Sequence, residues 1–347
     1  MANPVGGSNN SIRGILILRP GAIGDTLLTF PALLALRRRF PDAAITVVGN
    51  QAPLNLGRAA GIFDCCDAFG AAWVTDLFGD EPTPALRARL AQIDLGVVWM
   101  HGAEAAEDLA SRLETAGVRT VVPLVSFPSP GSRRHLADHL VETLAPLGIA
   151  GPRPAVTLRR EVGTDGMLAV LHPGAGGRHK RWPAERFAVV ADRLAALDWS
   201  IAVTRGPADD EAVAAVRSAV RSASLQVLAG LRLDELAGVI ARARLFVGND
   251  SGITHLAALL NVPTIAIFGP FDPAYWAPIG PRVEVIDAGR SCAHRGDPRE
   301  GCRQCGLVST LDVETVWNVV SRIVDGRSTM RLPENAIDPA STDVDAR

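Results

Sequence analysis

The chain has 347 residues, 48% of them hydrophobic and 21% charged, with a formal net charge of −2. That length accommodates two ordinary domains, each with its own core, and the composition is that of a globular protein. The charge balance gives no reason to expect nucleic acid as a partner, and no apolar run approaches the roughly 20 residues that span a bilayer.

The opening stretch MANPVGGSNNSIRG lacks the charged-then-apolar order of a signal peptide, and residues 1–12 read as a flexible N-terminus. Five cysteines without such a signal point to thiols in a reducing cytoplasm. The expected location is cytoplasmic, with peripheral contact at the inner face of the cytoplasmic membrane. From there one unit recurs: a short apolar run, a turn, then an amphipathic helical pattern. Strands are predicted at 14–19, 44–48, 94–99 and 118–124, with helices between and after them, including 103–116 and 135–147. This makes a first domain over 13–150. The stretch LGIAGPRPAVTLRREVGTDG then breaks the alternation with glycine, proline and charge, and 151–166 reads as a linker.

A second domain over 167–327 repeats the scheme. Its strands are expected near 167–172, 200–204, 225–228, 245–248, 263–268 and 283–286, its helices at 184–197, 208–221, 232–243, 251–260 and 312–325. The polar, patternless tail over 328–347 is expected to be disordered. Alternating strands and helices imply an α/β architecture: two Rossmann-like domains with parallel sheets facing a central cleft. Two basic stretches, Arg37–Arg39 and Arg133–His135, read as solvated surface or as a docking face for an anionic substrate or lipid headgroup.

Four segments carry chemistry. GILILRPGAIGDTLLTF runs a strand through a glycine loop into a helix, where free backbone N–H groups attract anions, yet the loop ends on a carboxylate, Asp25. If Asp25 caps that helix, Pro31 falls inside it; otherwise Thr29 caps a helix beginning at Phe30. The second domain opens with LAVLHPGAGGRHKRW, whose glycines 174, 176 and 177 let backbone N–H groups approach an oxyanion beside Lys180. In LFVGNDSGITHLAALL, Asp250 or Ser251 is a natural helix N-cap, Gly252 permits close approach, and His255 shares the face of Ser251. Asp210 and Glu211 open another helix, where acids are favoured by the dipole or can accept from ribose hydroxyls.

Together, RPGAIGDTLLTFPALLALRRRFPDAAITVV, HPGAGGRHKRWPAERF and FVGNDSGITHLAALLNVPTIAIFGPFDP resemble glycosyltransferase family 9, the ADP-heptose:lipopolysaccharide heptosyltransferases and their relatives, over roughly residues 13–325. The resemblance implies a GT-B fold, with acceptor in the N-terminal half and nucleotide sugar in the C-terminal half. It implies Asp25 as catalytic base, with Gly24 beside it. Lys180 matches the lysine that neutralises the donor diphosphate, and Ala175 and Gly176 fall where relatives often carry phosphate-contacting hydroxyls. Glu211, or Asp210 after a one-residue shift, fits the ribose-binding acid. Leu231 lies near the base, and Asp250, Ser251, Gly252 and His255 match the donor segment. The partners implied are a nucleotide-sugar donor, ADP-heptose, and a lipid-linked or phosphorylated glycan acceptor. WMHGAEAAEDLA, residues 99–110, carries no acceptor signature.

The implied reaction is a direct, inverting displacement in which Asp25 takes the acceptor proton and Lys180 with helix N-termini stabilises the departing diphosphate. No D-x-D motif over residues 13–325 calls for a metal ion, and no cofactor is expected. A nicotinamide-dependent oxidoreductase would want G-x-G-x-x-G after the first strand, which GAIGD does not supply. A non-catalytic nucleotide-sugar binder would keep Lys180 and Asp250 with no need for Asp25. Cys292, His294, Cys302 and Cys305 are the residue types of a zinc site, but their irregular spacing favours unligated thiols. Cys65 and Cys66 sit in an apolar, strand-like segment and read as core residues.

Overall fold

A computed structural model describes residues 12–129, 131–158, 166–295 and 301–326. The expected flexible N-terminus, apart from Ile12, and the expected disordered tail lie outside the described residues. In chain order the first half contains β1 (Gly14–Arg19), α1 (Ile23–Arg39), β2 (Ala44–Gly49), α2 (Gln51–Ala59), β3 (Cys65–Ala68), α3 (Ala72–Thr75), α4 (Pro84–Leu90), β4 (Leu95–Met100), α5 (Ala103–Thr115), β5 (Thr120–Val125) and α6 (Leu136–Glu142). The second half contains β6 (Leu168–His172), α7 (Ala184–Ala195), β7 (Ser200–Arg205), α8 (Asp210–Ala219), β8 (Leu225–Ala229), α9 (Leu233–Ile240), β9 (Leu245–Asn249), α10 (Gly252–Leu259), β10 (Thr264–Phe268), α11 (Pro273–Trp276), β11 (Val283–Asp287), α12 (Leu307–Thr310) and α13 (Val313–Val324).

Both sheets are parallel. The first runs β3-β2-β1-β4-β5 and the second β11-β10-β9-β6-β7-β8. Each therefore places its first strand at the centre, where the strand order reverses and a crevice opens at the carboxyl ends. All six residues of β1 and all five of β6, β9 and β10 are buried, as strands covered on both faces by helices must be. The strand-like segment at Cys65 and Cys66, for which the pattern gives no bounds, is β3, a four-residue edge strand paired only to β2. There Cys65 is exposed and is not a core residue, while Cys66 is half-buried and packs against the edge of the core.

One apolar cluster runs through both halves, from Ile15, Leu28 and Phe30 to Leu256, Leu260 and Phe246. The expected linker contributes to it, since Val156 and Leu158 are buried and the Leu158 N–H donates to the Leu259 carbonyl at 2.7 Å. The basic stretches are used within the fold. Arg37 bonds the Pro41 and Ala43 carbonyls and Asp64, Arg134 pairs with Glu142 at 3.1 Å, and His135 Nε2 bonds the Ala277 carbonyl at 2.9 Å.

Candidate functional site

Strand β1 delivers Arg19, Pro20 and Gly21 to the crevice, and α1 follows at once. Its N-cap, Ala22, has no side-chain acceptor, so Asp25 in the first turn reaches back and its Oδ2 accepts the Ala22 N–H at 3.0 Å. Asp25 is therefore inside the helix rather than its cap. The helix continues past Pro31 to Arg39, and no helix begins at Phe30. Thr29, offered as that cap, instead donates its hydroxyl to the Asp25 carbonyl at 2.8 Å.

Helix α10 meets α1 end to end. Its N-cap is Ser251, whose Oγ accepts the Thr254 N–H at 3.3 Å. A Cβ on Gly252 would fall 2.7 Å from Ile23 Cβ and 3.0 Å from the Gly24 nitrogen, and one on Gly24 would fall 3.2 Å from His255 Cδ2. Hydrogen at both positions is what lets the two helix ends touch. His255 is buried there, and its Nδ1 has no hydrogen-bond partner among the described residues. Burial, with His135 and Lys180 adding to it and Asp25 opposing, pushes its pKa down to about 3, so the ring is neutral.

The glycine loop after β6 is locked to the loop after β9 by Asn249. Its Nδ2 donates to the Pro173 carbonyl at 2.9 Å and its Oδ1 accepts the Trp182 N–H at 3.0 Å. Gly174 is required because a Cβ would overlap the buried Asp209 carboxylate, whose Oδ2 accepts the Gly206 N–H at 2.8 Å. Ala175 is buried and Gly176 exposed. Lys180 Nζ pairs with Asp250 Oδ2 at 2.8 Å and lies 4.1 Å from the centroid of the Phe271 ring. Glu211 is exposed and pairs with Arg178 at 2.8 Å and Arg181 at 3.3 Å, whereas Asp210 pairs with Arg205 at 2.6 Å. Leu231, 40% exposed, stands in the loop between β8 and α9.

The profile of glycosyltransferase family 9 (heptosyltransferase) matches residues 145–302, which hold the glycine loop, Lys180 and the β9–α10 turn. Over that stretch the chain is similar to glycosyltransferase family 9. Lipopolysaccharide heptosyltransferase 3 of Escherichia coli is 26% identical over 289 residues, 74% of this chain and 83% of that protein. Lipopolysaccharide heptosyltransferase 2 of E. coli K12 is 31% identical over 171 residues, 47% of each chain. The solved structure of E. coli ADP-heptose lps heptosyltransferase II superposes with a TM-score of 0.68 at 20% identity, covering 91% of this chain and all of that one. The fold is accordingly GT-B, and the protein is a glycosyltransferase.

In this glycosyltransferase Gly24, Asp25, Gly252 and His255 converge at the junction of the two helix ends, with Ser251 capping α10 and Lys180 charged towards His255. Glu211 stands apart with its two arginines, and Asp250 meets the site through Lys180. Several side chains are not evident from the sequence. Arg19 is 2% exposed, and its Nε and Nη2 have no hydrogen-bond partner among the described residues. Burial lowers its pKa, and the nearby Asp25 charge opposes that shift. Its signal is a lone charge at the end of an otherwise apolar strand. Across the crevice the rings of His101 and Phe127 lie 4.7 Å apart and those of Phe127 and Trp276 5.7 Å, an aromatic wall built from both halves. The four ligand-type residues whose spacing favours unligated thiols come together: one atom each from Cys292, His294, Cys302 and Cys305 lies within 4.8 Å of the others.

Proposed function

We propose that the protein transfers heptose from ADP-heptose to a sugar of a lipopolysaccharide core or related glycan, with inversion at the anomeric carbon. The observation that carries this reading is the meeting of α1 and α10, which sets Asp25 beside the donor-segment residues Gly252 and His255. An acceptor hydroxyl oxygen attacks the anomeric carbon as the bond from that carbon to the diphosphate oxygen breaks. Its proton passes to the Asp25 carboxylate, and ADP leaves with the bonding electron pair. One carboxylate and no covalent sugar–enzyme intermediate give inversion.

The departing diphosphate gains stabilisation from the backbone N–H groups at the start of α10 and of the Gly174–Gly177 loop, and from Lys180. Lys180 spends one donor on Asp250 and keeps two N–H bonds for phosphate oxygens. Neutral His255 supplies a hydrogen bond without charge, and Glu211, held by Arg178 and Arg181, accepts from the ribose hydroxyls. On the acceptor side the His101–Phe127–Trp276 wall offers apolar rings to a sugar face, and the unsatisfied guanidinium nitrogens of Arg19 suit a phosphorylated glycan. Among the described residues no helix is long and apolar enough to cross a membrane. Work on a lipid-linked acceptor then takes place from the cytoplasmic side by peripheral contact.

The test is transfer itself. Purified protein, ADP-heptose and heptose-deficient lipopolysaccharide should yield ADP and a product heavier by one heptose, with the anomeric configuration opposite to the donor's by NMR. A protein that neither binds ADP by calorimetry nor releases it from ADP-heptose overturns the reading.

A further inference from the structure

After β11 four described side chains, two from 292–294 and two from 302–305, assemble a second chemical centre. We propose that Cys292, His294, Cys302 and Cys305 bind one zinc ion that ties these two short segments together beside the donor loop. Tetrahedral zinc holds thiolate sulfur at about 2.3 Å and imidazole nitrogen at about 2.0–2.1 Å, which separates two sulfur ligands by about 3.8 Å and a sulfur from a nitrogen by about 3.6 Å. The Cys292 and Cys305 sulfurs are 3.8 Å apart, and His294 Nδ1 lies 3.3 Å from the Cys305 sulfur. The Cys302 sulfur lies within 4.8 Å of both sulfurs. A disulfide needs sulfurs at about 2.05 Å, and all three thiols are free. Three thiolates and one imidazole complete a four-coordinate set with no open position, the pattern of a structural rather than a catalytic zinc ion.

The surroundings hold the set in place and link it to the donor loop. The Cys302 N–H donates to the Pro270 carbonyl at 2.8 Å, and the Cys292 N–H donates to the Gly289 carbonyl at 2.9 Å. Arg295, next to His294, pairs with Asp287 at 2.9 Å and bonds the Phe271 carbonyl. Phe271 is the ring over which Lys180 lies. The zinc knot thus braces the segment that supports the lysine of the donor loop, without touching substrate.

The full-length protein, purified under reducing conditions without chelator, is assayed by elemental mass spectrometry. About one zinc per chain is expected, falling below a tenth of that in the Cys292→Ser/Cys305→Ser double variant, with far-ultraviolet circular dichroism confirming that the variant is folded. Should the double variant fail to fold, replacement of zinc by cobalt in the wild-type chain gives a second readout. Intense sulfur-to-cobalt absorption in the near ultraviolet is the expected result. A chain that arrives without metal and takes up no zinc overturns the site. So does equal zinc in wild type and folded variant, a Cys292–Cys305 disulfide in the freshly purified protein, or iron in place of zinc. None of these readouts depends on sugar transfer, so they are independent of the proposed activity.

Discussion

Replacing Asp25 by Asn separates a catalytic carboxylate from a helix-end one. The amide oxygen still accepts the Ala22 N–H, so the contact at 3.0 Å that opens α1 is retained. What disappears is negative charge in the first turn, where it contributes about 0.3–1 kcal/mol, and the countercharge beside buried Arg19. Arg19 keeps its bond to the Pro20 carbonyl. The stability cost should total about 1–2 kcal/mol, a fall in Tm of about 2–4 °C for each kcal/mol. Loss of a general base costs about 10²–10⁴ in turnover, or about 2.7–5.5 kcal/mol of barrier, well beyond the structural cost. The assay is heptose transfer at saturating ADP-heptose, with ADP affinity by calorimetry and Tm by scanning fluorimetry in parallel. Turnover should collapse while ADP affinity stays within about twofold, a spread of less than about 0.5 kcal/mol. An Asp25→Asn enzyme working within about threefold of wild type would refute the base assignment and leave Asp25 as a helix-end residue.

Lys180→Ala should weaken ADP binding by roughly 1.5–3 kcal/mol and also lower Tm, because it strands the buried Asp250 carboxylate; calorimetry showing unchanged affinity removes the phosphate role. Gly252→Ala forces a methyl against Ile23 and the Gly24 nitrogen, so it should cost about 1–3 kcal/mol and reduce transfer at least about 10-fold by displacing α1; an unaffected enzyme means the two helix ends are free to part. Glu211→Gln should raise the KM for donor more than Asp210→Asn does, since Glu211 pairs with Arg178 and Arg181, whereas Asp210 is paired to Arg205; the reverse order identifies Asp210 as the ribose ligand. Acid should destabilise the fold. His255 and His172 have pKa values lowered by burial to about 3 and about 4, against about 6.5 unfolded, so their stabilisation is complete above about pH 6.5 and lost as pH falls. At about pH 5 each costs about 2 kcal/mol relative to about pH 8, and urea midpoints that do not fall on acidification contradict their burial as neutral rings.

The parallel strands are legible because burial on both faces writes an uninterrupted apolar run, as in GILILR, and the glycine-bearing turns mark where those runs end. β3 is only hinted at by its strand-like cysteine pair, because CCDA is a short edge strand whose pairing comes from β2 rather than from its own pattern. The start of α1 is obscured by Pro31, which signals a break but is accommodated within the helix. Asp25, Gly252 and His255 can be picked out by residue type, yet that they meet is a property of the packed halves. The same holds for the Lys180–Asp250 pair and the Cys292–His294–Cys302–Cys305 cluster. Arg19 shows the limit most clearly. Its neighbour Asp25 is six positions on, and only the tight turn from β1 into α1 brings the charges together.

The apolar cluster that passes from α1 into α10 makes the halves thermodynamic dependants. Melting either half would uncover a greasy face on the other, so heat should dismantle both in one cooperative step rather than domain by domain. The same dependence bears on descent. A gene fusion that exchanged the first half for another would also have to reproduce the contact surface at Ile23, Gly24 and Leu28, or forfeit the stability of the second half. Sequence change is therefore channelled into the loops at the rim, such as the one bearing His101, and away from the joint itself.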